Sequence, residues 1–191
     1  MTSRFALTAR RTALALAARA GAAAHAAPTV LEPVVVTATR TETATFDLPA
    51  SIDRIDGSEL RAGRAQVNLS EGLGAVPGLL ARDRQNYAQD VQISVRGFGA
   101  RASFGIRGVR VYVDDIPATL PDGQGQITNV EIGTVGRVEV LRGPFSALYG
   151  NSSGGVISLY SENPAGPPRP DAGVAFGSDG LRRIAASSSG K

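Results

Sequence analysis

Val138-Glu139-Val140-Leu141-Arg142-Gly143-Pro144-Phe145-Ser146-Ala147-Leu148-Tyr149-Gly150 is the stretch that decides the fold, and Gly154-Gly155-Val156-Ile157 completes it. Val138-Glu139-Val140-Leu141 predicts a strand that Gly143-Pro144 must stop, because proline has no N–H to give a ladder. Ser146–Tyr149 has room for one helical turn before Gly150 ends it. After the glycine pair, Val156-Ile157-Ser158-Leu159 predicts a second strand.

Outward from this stretch the same grammar repeats. Val91, Ile93 and Val95 share one strand face, and Gln92, Ser94 and Arg96 the other. Val109, Val111 and Val113 alternate likewise and run into Asp114-Asp115, a turn. Upstream, Ser51-Ile52-Asp53-Arg54-Ile55 predicts a strand. Asp56 or Ser58 then caps a short helix, and Leu69–Leu73 forms another that Gly74 and Pro77 end. Strands mixed with short helices over residues 46–161 predict an α+β domain with a mixed β-sheet.

A proline-rich linker, 162–170, leads to a last segment, 171–191. It alternates from Ala172 to Phe176, turns at Ser178-Asp179-Gly180 and resumes at Leu181, a hairpin signature. The chain stops at Lys191 inside the second of these strands, so a truncated product is expected.

The 191 residues carry a formal net charge of +3, but Arg4, Arg10, Arg11 and Arg19 lie in a leader without acids. Without residues 1–26, 16 basic residues face 17 acidic ones, so a nucleic-acid partner loses its support. That leader has a basic start, the apolar run Ala13–Ala18 and small residues at Ala24 and Ala26, the parts of a secretory signal. An Ala-rich amphipathic helix or a transit peptide is the alternative. With no cysteine, and the single histidine, His25, in the leader, thiolate sites and His-based catalysis are excluded. Asp114-Asp115 lacks the further oxygen ligands that Ca²⁺ needs. The glycines of Gly97-Phe98-Gly99 precede a strand rather than a helix, which excludes a dinucleotide site. Neither an enzyme nor a cofactor is expected.

Three blocks now stand in order: Ser94-Val95-Arg96-Gly97-Phe98-Gly99, Tyr112-Val113-Asp114-Asp115-Ile116-Pro117, and the opening stretch. Together they resemble the plug signature of TonB-dependent outer-membrane receptors, over roughly residues 33–161. The resemblance implies a small plug domain followed by the first hairpin of a transmembrane β-barrel, truncated here. The complete protein would be a barrel of ~22 strands in the outer membrane of a Gram-negative bacterium. It would take up a metal chelate, a ferric siderophore or another iron complex.

The resemblance also assigns residues. Pro33, Val34, Val35, Val36, Thr37 and Ala38, in the Thr-, Ala- and Val-rich tether 27–45, resemble the TonB box. This segment would add its backbone to a sheet edge of TonB, which works with ExbB/ExbD. A first plug strand or a disordered tail is the bland alternative, and the segment lacks a partner strand nearby in sequence. The short distance from leader to box leaves no room for an N-terminal signalling domain. Arg96 and Arg142, each before a glycine at a strand end, would face acidic residues of the barrel wall; solvated strand-end arginines are the alternative. Arg84, Arg101, Ser103, Phe104, Asp122 and Gln124 fall where the family's plug loops touch the ligand. An arginine fork suits an anionic chelate, although these residues could equally be solvated or contact the barrel. A barrel-less plug acting as a binding module, or without transport function, is the competing reading.

Overall fold

The computed structural model describes residues 35–36, 41, 43–44, 47, 49–86, 89–150 and 152–191. The expected signal peptide therefore lies outside the described residues. Elements follow in order: β1 (Val35–Val36), β2 (Thr43–Ala44), β3 (Ser51–Asp56), α1 (Gly57–Arg61), α2 (Ser70–Leu73), β4 (Leu79–Arg82) and β5 (Gln92–Val95). Then come β6 (Val109–Val113), β7 (Ile116–Pro117), a 3₁₀ turn (Ile132–Thr134), β8 (Val135–Arg142), α3 (Ser146–Tyr149), β9 (Gly155–Ser161), β10 (Arg169–Phe176) and β11 (Arg182–Ser189).

The expected α+β architecture is present. A five-stranded mixed sheet runs β3-β8-β9-β6-β7, antiparallel except where β6 and β9 pair in parallel. β8, flanked on both sides, is the sheet's apolar spine: Val138, Val140 and Leu141 are fully buried. The β4–β5 hairpin forms a separate ladder, and Leu60 of α1, Leu73 of α2, Ile93, Val111, Ile157 and Leu159 belong with it to the buried core. Each such side chain stabilises the fold by about 1.5–3 kcal/mol relative to exposure.

The opening stretch folds as its residues dictate. β8 extends beyond the predicted Val138–Leu141 to start at Val135, because β9 offers it a partner along nearly its whole length. Gly155 is held at φ +143° as β9 begins, and a Cβ there would stand 2.2 Å from the Leu141 carbonyl oxygen. Only glycine fits at that approach. Asp114 and Asp115 both adopt positive φ in the predicted turn. Asp114 then holds the end of β9, its carboxylate accepting from the Ser161 N–H at 2.7 Å and from the Ser161 hydroxyl.

β10 and β11 pair antiparallel from Arg169↔Ser189 to Phe176↔Arg182 around the Ser178–Gly180 turn. β10 starts at Arg169, three residues ahead of the predicted alternation. Pro170 is tolerated there because β10 has β11 as its one neighbour and its other edge gives proline no ladder bond to lose.

Candidate functional site

The sequence-predicted residues fall into three places. The first is the tether. Val35 pairs with Ala44 and Val36 with Thr43 in a two-residue antiparallel ladder. The expectation that this segment lacks a nearby partner strand is therefore corrected: Thr43-Ala44 supplies one. Pro33, Val34, Thr37 and Ala38 lie outside the described residues.

The strand-end arginines part company. Arg96 sits at φ +48° just after β5, its backbone N–H bonded to the Gly78 carbonyl at 2.8 Å. Its side chain is exposed and has no partner among the described residues. Arg142 is turned inward. Its Nη2 lies 2.7 Å from Asp53 Oδ2 on β3, with side-chain exposures of 15% and 26%. The pair is not aligned for a hydrogen bond, so this is a charge contact. Arg142 Nη1 also donates to the Pro77 carbonyl at 2.8 Å. One guanidinium thus joins β8, β3 and the turn after α2.

The third place is a cluster of loops. Arg84, after β4, donates to the carbonyls of Ser103 at 3.0 Å and Ala102 at 2.5 Å. Gln92 of β5 donates to the Ala100 carbonyl at 2.8 Å, so β5 and the segment following β4 together hold the 97–108 loop. That loop in turn holds the next. Arg107 reaches the Asp122 carbonyl at 3.2 Å, Asp122 Oδ2 at 3.4 Å and Gln124 Oε1 at 3.2 Å. Ile106 and Gly125 exchange backbone hydrogen bonds at 2.9 and 2.7 Å.

All six loop residues proposed from the sequence therefore sit on one interlinked surface, in different states. Arg84 and Asp122 are engaged in holding loops. Arg101 is exposed with no side-chain partner among the described residues, and Phe104 is 59% exposed. These two are available to a ligand. A cleft of about 430 Å³ opens beside Arg84, between Arg82, Asp83, Gln85, Gln89 and Gln92.

The sequence places Arg107 in the 99–108 loop beside Arg101, Ser103 and Phe104, and the fold makes it the central donor of this surface. Two residues that have no role in the sequence reading are Asp53 and Asp90. Asp53 neutralises Arg142, away from the loops. Asp90, buried, accepts the N–H groups of Ile127 and Thr128 at 3.0 and 3.1 Å and so fixes the far end of the 118–126 loop. The one hint was Asp90 itself, an acid placed directly before an apolar strand, where a carboxylate stays only if backbone donors meet it.

Comparison with known proteins places this geometry. Residues 44–156 match the family model described as the TonB-dependent Receptor Plug Domain. The chain is 31% identical over 136 residues to the hemin receptor of Yersinia pestis, covering 70% of this chain and 19% of that protein. It is 35% identical over 107 residues to the pesticin receptor of Yersinia pestis, covering 55% and 15%. The vitamin B12 transporter BtuB of Vibrio vulnificus is 29% identical over 131 residues, covering 68% and 20%. The chain thus spans between 15 and 20% of the length of these relatives. Among solved structures, the pyoverdine outer-membrane receptor FpvA of Pseudomonas aeruginosa shares the fold with a TM-score of 0.64 at 22% identity, covering 83% of this chain and 22% of FpvA. The alcaligin receptor FauA of Bordetella pertussis does so with a TM-score of 0.62 at 16% identity, covering 81% and 26%. The match over residues 44–156, on the sheet and loops described above, shows that the chain belongs to the TonB-dependent receptor plug domain family.

Proposed function

We propose that the chain is the tether, plug and barrel start of an outer-membrane receptor that takes up a metal chelate, with a ferric siderophore or another iron complex as cargo. Residues 46–161 are the plug, inside the lumen of the barrel that 171–191 begins, and 33–38 are the segment that TonB, driven by ExbB/ExbD, engages. The outer membrane offers no ATP to the receptor, so the work of opening the plug arrives through this contact. Arg96 faces an acidic residue of the barrel wall, while Arg142 is shared with Asp53.

The observation that carries the cargo assignment is the loop surface. Arg84, Arg107 and Asp122 hold it rigid, and it presents the Arg101 guanidinium with the Phe104 ring. A planar cation and an exposed aromatic ring on the same loop suit an anionic chelate with flat ligand groups. Relatives are named for hemin, pesticin and vitamin B12, so family membership alone leaves the cargo open.

The test is transport by the complete receptor in cells lacking other receptors, with and without TonB. Ferric siderophores, hemin and vitamin B12 are supplied in turn. TonB-dependent uptake of a ferric siderophore is expected. Uptake of vitamin B12 with no iron complex transported would refute the cargo, and uptake independent of TonB would refute the coupling.

A further inference from the structure

The β10–β11 hairpin turns unlike faces in its two directions. Along β11, Arg183 and Ala185 are half-buried while Ile184 and Ala186 are exposed. Val174 stands opposite Ile184, and Ala175 opposite Arg183. Because side chains alternate along a strand, Val174, Phe176 and Ile184 share the outward face, at 67, 78 and 84% exposure, with Arg182 opposite Phe176 at its turn end. Small and polar residues share the inward one.

From that inward face Arg183 reaches the plug. Its Nη2 lies 3.6 Å from Oε1 of Glu131. The same oxygen accepts the Gly133 N–H at 3.2 Å, which fixes the carboxylate over the 3₁₀ turn. Gly133 leaves the space for this meeting, since a Cβ there would come within 3.0 Å of Glu131 Oε1 and 3.7 Å of Arg183 Nη2. The adjoining backbone holds the chain as it leaves the plug. Glu162 N–H donates to the Thr134 carbonyl at 2.8 Å, and Arg61 joins the Val135 carbonyl at 2.8 Å to Glu162 Oε1 at 2.7 Å.

We propose that Glu131 and Arg183 form a latch that holds the plug's 131–136 segment against the inner face of the first barrel hairpin. This rests on reading the chain as plug and barrel start. The charges run opposite to those expected of Arg96, with the acid on the plug and the arginine on the wall. At exposures of 26% for Arg183 and 67% for Glu131 the contact is weak enough to break when the plug is pulled.

The test uses cells producing the complete receptor at matched outer-membrane levels, with exclusion of vancomycin, a large hydrophilic antibiotic, as the readout. Glu131→Arg and Arg183→Glu each put like charges together, and each is expected to raise vancomycin sensitivity about threefold, the scale of a partly exposed ion pair. The double variant Glu131→Arg/Arg183→Glu restores opposite charges and is expected to regain wild-type exclusion. Single variants that exclude vancomycin like the wild type, or a double variant as leaky as the singles, would overturn the latch. A receptor lacking residues 44–156 separates the two levels of the argument. It must be open to vancomycin, and if it is not, the plugged-barrel reading fails and the latch with it.

Discussion

Arg142 closes β8 with its guanidinium 2.7 Å from the carboxylate of Asp53 on the neighbouring strand β3, and the ladder brings them there by pairing Ser51 with Arg142. The arginine thus has a carboxylate and a carbonyl partner within the plug itself. Arg142→Ala removes this contact and the bond to Pro77, and is expected to lower the stability of the chain by about 1–3 kcal/mol. Urea unfolding of the 191-residue chain measures it. An Arg142→Ala variant as stable as the parent would show that the side chain matters only against the barrel.

Gly155→Ala is expected to be worse. It forces a Cβ to 2.2 Å from a backbone oxygen of β8 at a φ that side chains avoid, and neither strand can yield because both are hydrogen-bonded across the sheet. A loss of about 3 kcal/mol or more is expected. Thermal unfolding checks it, and a drop of under about 5 °C in Tm would contradict it.

These two cases mark what the sequence reveals. Local pattern gave β5, β6, β8, β9, the turn at Asp114-Asp115 and the helical turn at Ser146–Tyr149, because alternation and glycine or proline breaks are properties of neighbouring residues. Strand order is not such a property. Nothing near Val109 or Gly155 announces that β6 and β9 run side by side in parallel, and nothing near Arg142 announces Asp53. The loop surface was legible as a set of residues, through the resemblance. Its division into holding residues such as Arg84 and presenting residues such as Arg101 depends on which carbonyls lie within reach, and only the fold decides that. Glu139 shows the same limit: an acid in a predicted strand is fully buried beside Arg137, at 2.8 Å, on the β8 face it shares with fully buried Leu141.

The two kinds of loop arginine should separate by experiment. Arg101→Ala is expected to weaken ligand binding by the complete receptor about five- to tenfold with stability unchanged, since its side chain is exposed and unpaired among the described residues. Arg107→Ala should weaken binding as well, but with faster proteolysis of the 118–126 loop, because its three bonds to Asp122 and Gln124 are lost. Binding titrations beside limited proteolysis decide this; equal effects of both variants on proteolysis would contradict it.

The faces of the first hairpin make a further prediction. Ile184→Arg places a charge on the outward, apolar side, at a cost of up to about 2–4 kcal/mol in a bilayer. Ala185→Arg places it on the inward side, beside Arg183. Heat-modifiability on gels reports the folded receptor, which is expected to fall several-fold for Ile184→Arg. Equal yields of folded Ile184→Arg and parent receptor would contradict the assignment of the outward face.

The central claim is that residues 33–38 couple this plug to TonB by lending backbone edge to a partner sheet. The direct measurement compares the complete receptor with a variant lacking residues 33–38, scoring ligand bound at the cell surface and ligand accumulated inside the same cells. Surface binding close to the parent's with accumulation reduced to the level of TonB-deficient cells is the predicted result. Accumulation at the parent's rate would contradict the account.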